Sequence, residues 1–179
     1  LREEPRRLEH LSAHGPLTGL HNRRFLEGYA EVLRDGRGPL SAVLADIDDF
    51  KGINDRLSHP VGDQVLAAVA RLFRAELRAE DVVVRYGGEE FLVLLPDLPR
   101  ERALQLCERL RQAVARHDWR VIHPELAVTL SLGLTTTEVA SSDPPGSGAA
   151  GLLERLIEQA DAALYQAKRS GKNRVAHHD

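Results

Sequence analysis

Residues 82–95 read VVVRYGGEEFLVLL, and this stretch decides the fold. Val82, Val83 and Val84 on one flank and Phe91 to Leu95 on the other are β-branched or large apolar residues, which predict two strands. Gly87-Gly88 between them is a pair that tolerates positive φ, so the plain reading is a β-hairpin with Glu89 and Glu90 at its tip. Two adjacent carboxylates on a rigid tip repel each other unless a cation or hydrogen-bond donors stand close. The stretch is either an ordinary acidic turn or half of a metal site.

A second acidic element lies upstream. SAVLADID, residues 41–48, reads as a short buried strand ending in acids. Alternation puts Asp46 and Asp48 on one side of the chain and Ile47 on the other, facing the core. One acidic strand end is usually a solvated terminus. Two such elements in one small sheet favour a shared hard divalent cation, for which carboxylate and carbonyl oxygens are the preferred donors. Beyond Asp48 come Phe50, Lys51, Asn54, His59 and Asp63. Asn54 and Asp63 offer an amide and a carboxylate, the groups a purine edge requires. Taken singly, Asn54 reads as a turn residue, Asp63 as a helix N-terminal acid and His59 as a surface histidine.

The other elements follow from periodicity. Asn22 suits a helix N-cap, followed by Phe25, Leu26, Tyr29, Val32 and Leu33 on one face. Val65, Leu66, Val69, Leu72 and Phe73 stripe a second helix. A third spans residues 100–117, with Cys107 as core filling beside Ala103, Leu106, Leu110 and Val114. Residues 126–134 alternate as a strand with one buried face. Residues 141–151, SSDPPGSGAAG, read as a loop, and a last helix carries Leu152, Leu153, Leu156, Ile157, Ala160, Ala163 and Leu164 before GKNRV closes as a short strand. The order, helix then β-α-β-β-α-β-α-β, predicts an α+β domain with a sheet covered by helices.

Composition narrows the function classes. The 179 residues suit one domain with a sizeable core. Hydrophobic content of 42% and charged content of 28% are those of a globular protein, with no membrane-length apolar run. A single cysteine excludes an internal disulfide. A net charge of −3 argues against nucleic acid as a partner, because a duplex-binding surface is strongly basic. An anionic substrate therefore needs metal ions or a few local cations. Only three of the 24 basic residues are lysine, namely Lys51, Lys168 and Lys172, so each carries more information than any arginine. Residues 1–14, with Leu1, Leu8 and Leu11, suit equally the end of a helical connector from a missing N-terminal sensory region and a frayed terminal helix, and residues 15–179 suit the domain itself.

PLTGLHNRRF, DIDDFKGINDRLSHPVGDQVL, RYGGEEF and ADAALYQAKRSGKNRV occur in the order that resembles GGDEF domains, the diguanylate cyclase family, across residues 11–176. All three lysines fall inside these motifs. The resemblance implies a polymerase-palm or ferredoxin-like fold, a central antiparallel sheet flanked by helices. It implies a cytoplasmic enzyme joining two GTP into cyclic di-GMP with loss of two pyrophosphates, with Mg²⁺, or Mn²⁺, as cofactor. On the same match Asp46, the Ile47 carbonyl and Glu89 hold the metal. Asn54 and Asp63 read guanine in a pocket lined by His59, with Phe50 and Lys51 alongside as substrate-binding residues. Glu89 is also the candidate base, Glu90 supports the metal cluster or the ribose, and Lys168 and Lys172 neutralise outer phosphates, the latter position often being arginine. Because one chain supplies one GTP site and the product holds two symmetric phosphodiesters, a homodimer of loaded domains is implied.

RAED, residues 78–81, matches the RxxD site at which cyclic di-GMP inhibits family members, with Arg78 and Asp81 joined by Arg109. Arginine suits both stacking on guanine and bidentate phosphate contact, although a surface i,i+3 ion pair accounts for the same letters. Three positions depart from the pattern: Gly15 replaces the aspartate of a DxLT motif, Ser58 replaces a glycine before His59, and Pro60 follows. Two rival readings stand: a degenerate module that binds GTP or cyclic di-GMP without turnover, and a cyclase or polymerase of another nucleotide.

Overall fold

A computed structural model describes residues 15–34, 38–138 and 149–179. The N-terminal connector and most of the 141–151 loop lie outside the described residues. Elements in chain order are α1 (Arg23–Arg34), β1 (Leu40–Ile47), α2 (Phe50–Arg56), α3 (His59–Glu76), β2 (Val82–Arg85), β3 (Glu90–Pro96), α4 (Arg100–Arg116), β4 (Leu130–Thr137), α5 (Ala149–Arg169) and β5 (Arg174–His177). The sheet order is β2-β3-β1-β4-β5. The first four strands are antiparallel, as expected, and β5 joins β4 in parallel.

Alternation along the strands builds two cores. Val43, Ala45 and Ile47 face α3 and α4 with Phe73, Phe91, Leu110 and Leu132. Ala42 and Leu44 face α1 and α5 with Leu26, Leu92, Leu156 and Leu164. Apolar runs such as FLVLL are therefore continuous because both faces are covered. The same cause corrects the sequence reading of β4. It begins at Leu130, and it is buried on both faces through Thr135 rather than on one. Leu126 and Val128 are buried in the segment before it. On α1 the apolar face is Leu26, Ala30 and Leu33, whereas Val32 is 59% exposed. Cys107 is fully buried, and burial pushes its thiol up to about 12, as a core residue requires.

The helix α2 went unread because FKGINDR carries only two apolar anchors, Phe50 and Ile53, both buried. Ser58 and Pro60, which depart from the motif, have a local account. Ser58 holds φ 148°, where glycine is at ease, and its Oγ accepts from the Val61 amide at 3.3 Å as the cap of α3. Pro60 falls in the first turn, where no amide partner is lost. In the segment before α1, His21 pairs with Val84 and covers the free edge of β2.

Candidate functional site

The site forms where β1 ends. The register sets Asp46 opposite Glu90 across β1 and β3, and the Ile47 amide donates to the Glu89 carbonyl at 3.2 Å. This pairing brings the two acidic elements together, as the sequence predicted. Glu90 opens β3 rather than sitting on the turn, which consists of Tyr86 to Glu89. Neither turn glycine uses the positive φ that the pair tolerates. At Gly88 a side chain would meet nothing within 4 Å, so the outer surface of the turn is open space.

Asp46, Ile47, Asp48, Glu89, Lys168 and Lys172 border one cleft, with Asp49, Phe50 and Lys51 at its α2 edge. Lys168, carried by α5, donates from Nζ to Asp46 Oδ2 at 2.6 Å. Asp46 is only 6% exposed. Burial is the main cause that raises its pKa; Lys168 and Lys172 pull it down and Asp48 pushes it up. Burial and the Asp46 charge likewise raise Glu89 and Glu90. Burial works against the Lys168 ammonium, but its hydrogen bond to Asp46 and the fields of Glu90 and Glu89 outweigh that and raise it. Besides burial, like charges crowd one close ammonium: Asp48 acts on Asp46, Asp46 acts on Glu89 and Glu90, and Asp46, Glu89 and Glu90 act on Lys168.

Among the described residues no three acidic, histidine or cysteine side chains are already gathered as a metal-binding group. The donor set still fits a hard cation, because its oxygens are carboxylate and carbonyl and its unbalanced charge is negative. Asp48 borders the same cleft, but both of its oxygens are already engaged. Its Oδ1 accepts from Ser131 Oγ at 2.6 Å, and its Oδ2 accepts from Thr129 Oγ1 at 2.7 Å and the Asn173 amide at 3.0 Å.

Asn54 lies on α2 with Oδ1 buried and lacking any hydrogen-bond donor. A side chain on Gly62 would collide with that oxygen, so Asn54 presses on the first turn of α3, next to Asp63. His59 and Asp63 are both exposed on that turn. At the far end of the sheet, Arg78 Nη2 donates to Asp81 Oδ1 at 2.6 Å and to the Pro96 carbonyl at 2.9 Å, and Nη1 meets Glu80 at 3.2 Å. Arg109 pairs with Glu76 at 3.3 Å. The i,i+3 ion pair weighed from the sequence is thus present.

A family model described as "Diguanylate cyclase, GGDEF domain" matches residues 12–174. The chain belongs to the GGDEF family. It is 42% identical over 165 residues to the response regulator PleD of Caulobacter vibrioides, covering 89% of this chain and 34% of that protein. It is 44% identical over 165 residues to the diguanylate cyclase DgcP of Pseudomonas aeruginosa, covering 89% and 23%. Among solved structures, the coiled coil and GGDEF domain of DgcB from Caulobacter crescentus, in complex with c-di-GMP, superposes with TM-score 0.82 at 28% identity, covering 98% and 91%. The chain spans about a third or less of the two curated relatives named.

Within this GGDEF domain the motif residues divide by place: Asp46, Ile47, Glu89, Phe50, Lys51, Lys168 and Lys172 share the cleft, whereas Asn54, His59 and Asp63 sit on α2 and α3. The sequence reading missed the polar ties of Asp48. Ser131 in an apolar strand and an asparagine after Gly171-Lys172 were the signals that pointed there.

The acid cluster makes a stability prediction. Its carboxylates have folded-state pKa values above their unfolded ones, so protonation favours the fold. That contribution is present at acidic pH and is lost as pH rises through the raised values. At neutral pH without divalent ions, Glu90→Gln is therefore expected to raise Tm, by about 1–2 °C after allowing for solvent screening. The gain should vanish below pH 4, where both side chains are neutral (~pH 4 being the ordinary glutamate range). Thermal melts from ~pH 3 to ~pH 8 check this, and a lower Tm for Glu90→Gln at neutral pH would contradict it.

Proposed function

We propose that this domain is a diguanylate cyclase that condenses two GTP into cyclic di-GMP and two pyrophosphates. The observation that carries the reading is one cleft bordered by four acids, the strand-end residue Ile47 and all three of the chain's lysines. Guanine binding rests on Asn54, whose buried oxygen lacks a donor, and on Asp63, an acid free to accept imino and amino protons. Lys168 and Lys172 bring positive charge to the triphosphate, since phosphoryl transfer depends on neutralisation and in-line placement. Asp46, the Ile47 carbonyl and Glu89 would hold Mg²⁺, or Mn²⁺ in its place. A bound ion would neutralise phosphate charge and ease deprotonation of the attacking hydroxyl. Glu89, with its pKa raised, is the better proton acceptor near neutrality.

Each ribose 3′-hydroxyl attacks the α-phosphorus of the other GTP, loses its proton and expels pyrophosphate, and this happens twice per product. With one GTP site supplied by each chain, two loaded copies would face each other, related by a two-fold axis. We assign Arg78, Asp81 and Arg109 to a product site. Its arginines would exchange their present carboxylate partners for phosphate and guanine, which accounts for inhibition by product.

Incubating graded enzyme concentrations with GTP or ATP and Mg²⁺, with products resolved chromatographically, tests the reading. Cyclic di-GMP should form from GTP alone, with specific activity rising with enzyme concentration. Added product should inhibit the parent but not Arg78→Ala. A product from ATP would overturn the guanine assignment, and tight GTP binding without turnover would make the domain a binding module.

A further inference from the structure

Lys172 is held in an unusual way. Gly171, Lys172 and Asn173 take φ values of 123°, 64° and 46°, three left-handed residues in succession after α5. Only the first is glycine. A left-handed lysine is disfavoured by contact between its Cβ and its own backbone, and asparagine tolerates the region better. Such a turn persists only where its surroundings fix it.

Two tethers do so, and both act on Asn173. Its amide donates to Asp48 Oδ2 at 3.0 Å, and its Oδ1 accepts from Arg111 Nη1 at 2.9 Å. Asp48 is held in turn by Thr129 and Ser131 at the start of β4. Arg111 is held by Glu108 on α4. Behind the turn, the Lys172 amide donates to the Ala167 carbonyl at 3.0 Å, and the Lys172 carbonyl accepts from Arg174 Nε at 3.0 Å. Lys172 borders the cleft and its charge reaches Asp46.

We infer that Asn173 is a positioning residue that, clamped between Asp48 and Arg111, sets Lys172 against the phosphates of the bound nucleotide. This rests on the proposed GTP site. It assigns Asp48 to holding the turn rather than to a metal, and it makes the phosphate grip depend on α4.

The test is a binding cycle with GTP and GMP as probes in the presence of Mg²⁺. Lys172→Ala should weaken GTP binding by about tenfold, the size of one charge-assisted contact, and GMP binding by less than about twofold. Asn173→Ala should weaken GTP by about five- to tenfold and also spare GMP. In the Lys172→Ala background, Asn173→Ala should add less than about twofold, because the two act as one unit. Asn173→Gly keeps the amide and the left-handed backbone while losing the Arg111 bond, so it should fall between parent and alanine, and Arg111→Ala should match it. Where turnover is measured, the loss should appear in KM rather than kcat.

Equal losses for GTP and GMP, or a full added loss in the double variant, would overturn the inference, since either indicates general loosening. If Asn173→Ala is poorly folded by melting, the Asn173→Gly and Arg111→Ala pair decides alone. A parent that binds GTP no better than GMP removes both this inference and the substrate reading. A parent that binds GTP but makes no product fails only the cyclase reading.

Discussion

Glu89→Gln is expected to lower cyclic di-GMP formation by at least ~10³-fold, the several kcal/mol typical of lost charge stabilisation at a phosphoryl-transfer site. The substitution keeps size and hydrogen-bonding shape and removes one negative charge. In this fold that charge has two uses. It sits beside Asp46 on the cleft, so the pair can hold a cation only while both are ionised. It is also the group placed to accept the hydroxyl proton, and an amide cannot do so. Glu90→Gln should cost less, because Glu90 opens β3 and does not border the cleft. The measurement is initial rate at saturating GTP across Mg²⁺ concentrations, with GTP affinity in parallel. Affinity should change far less than rate, since Asn54 and Asp63 remain. A rate within tenfold of the parent at all Mg²⁺ concentrations would remove Glu89 from the chemistry.

How far the site was legible in the sequence depends on which force places each residue. Asp46 and Glu89 were readable because each stands at the end of a strand pattern visible in the sequence, and the two ends meet once β1 and β3 pair in register. Cys107 and its stripe were readable because helix burial repeats every three to four residues. The φ angles of Gly87 and Gly88 were not legible, because a glycine pair permits a left-handed turn without requiring one. Asp48 and Asn173 were opaque for another reason. They are 125 residues apart in sequence and joined by one hydrogen bond, which no periodicity encodes. The double burial of β4 was hidden too, because helices cover both faces of a strand whose sequence alternates as if one face were wet.

That helix packing supplies the second large effect. Gly133→Ala is expected to destabilise the domain by about 3 kcal/mol or more, lowering Tm by roughly 6–12 °C. Gly133 lies mid-β4, paired with Leu44 on one side and Ala176 on the other. A methyl group there would collide with the Leu164 amide nitrogen and the Ala160 carbonyl oxygen, and would come within 2.7 Å of the Leu164 Cα. These are backbone atoms of α5, so no side chain can turn aside, and the whole helix must lift. Gly28→Ala gives the contrast: it lies in α1, exposed, with nothing within 4 Å of the added carbon. There alanine should stabilise by about 0.5–1 kcal/mol through helix propensity alone. Paired melts of the two variants separate the effect of contact from the general effect of replacing glycine. A Gly133→Ala protein melting within 2 °C of the parent would mean that α5 does not rest on β4. The consequence reaches the cleft, because α5 carries Lys168 to Asp46. A Gly133→Ala chain that still folds should therefore hold GTP less tightly than its stability loss alone would explain, with the deficit largest for the triphosphate.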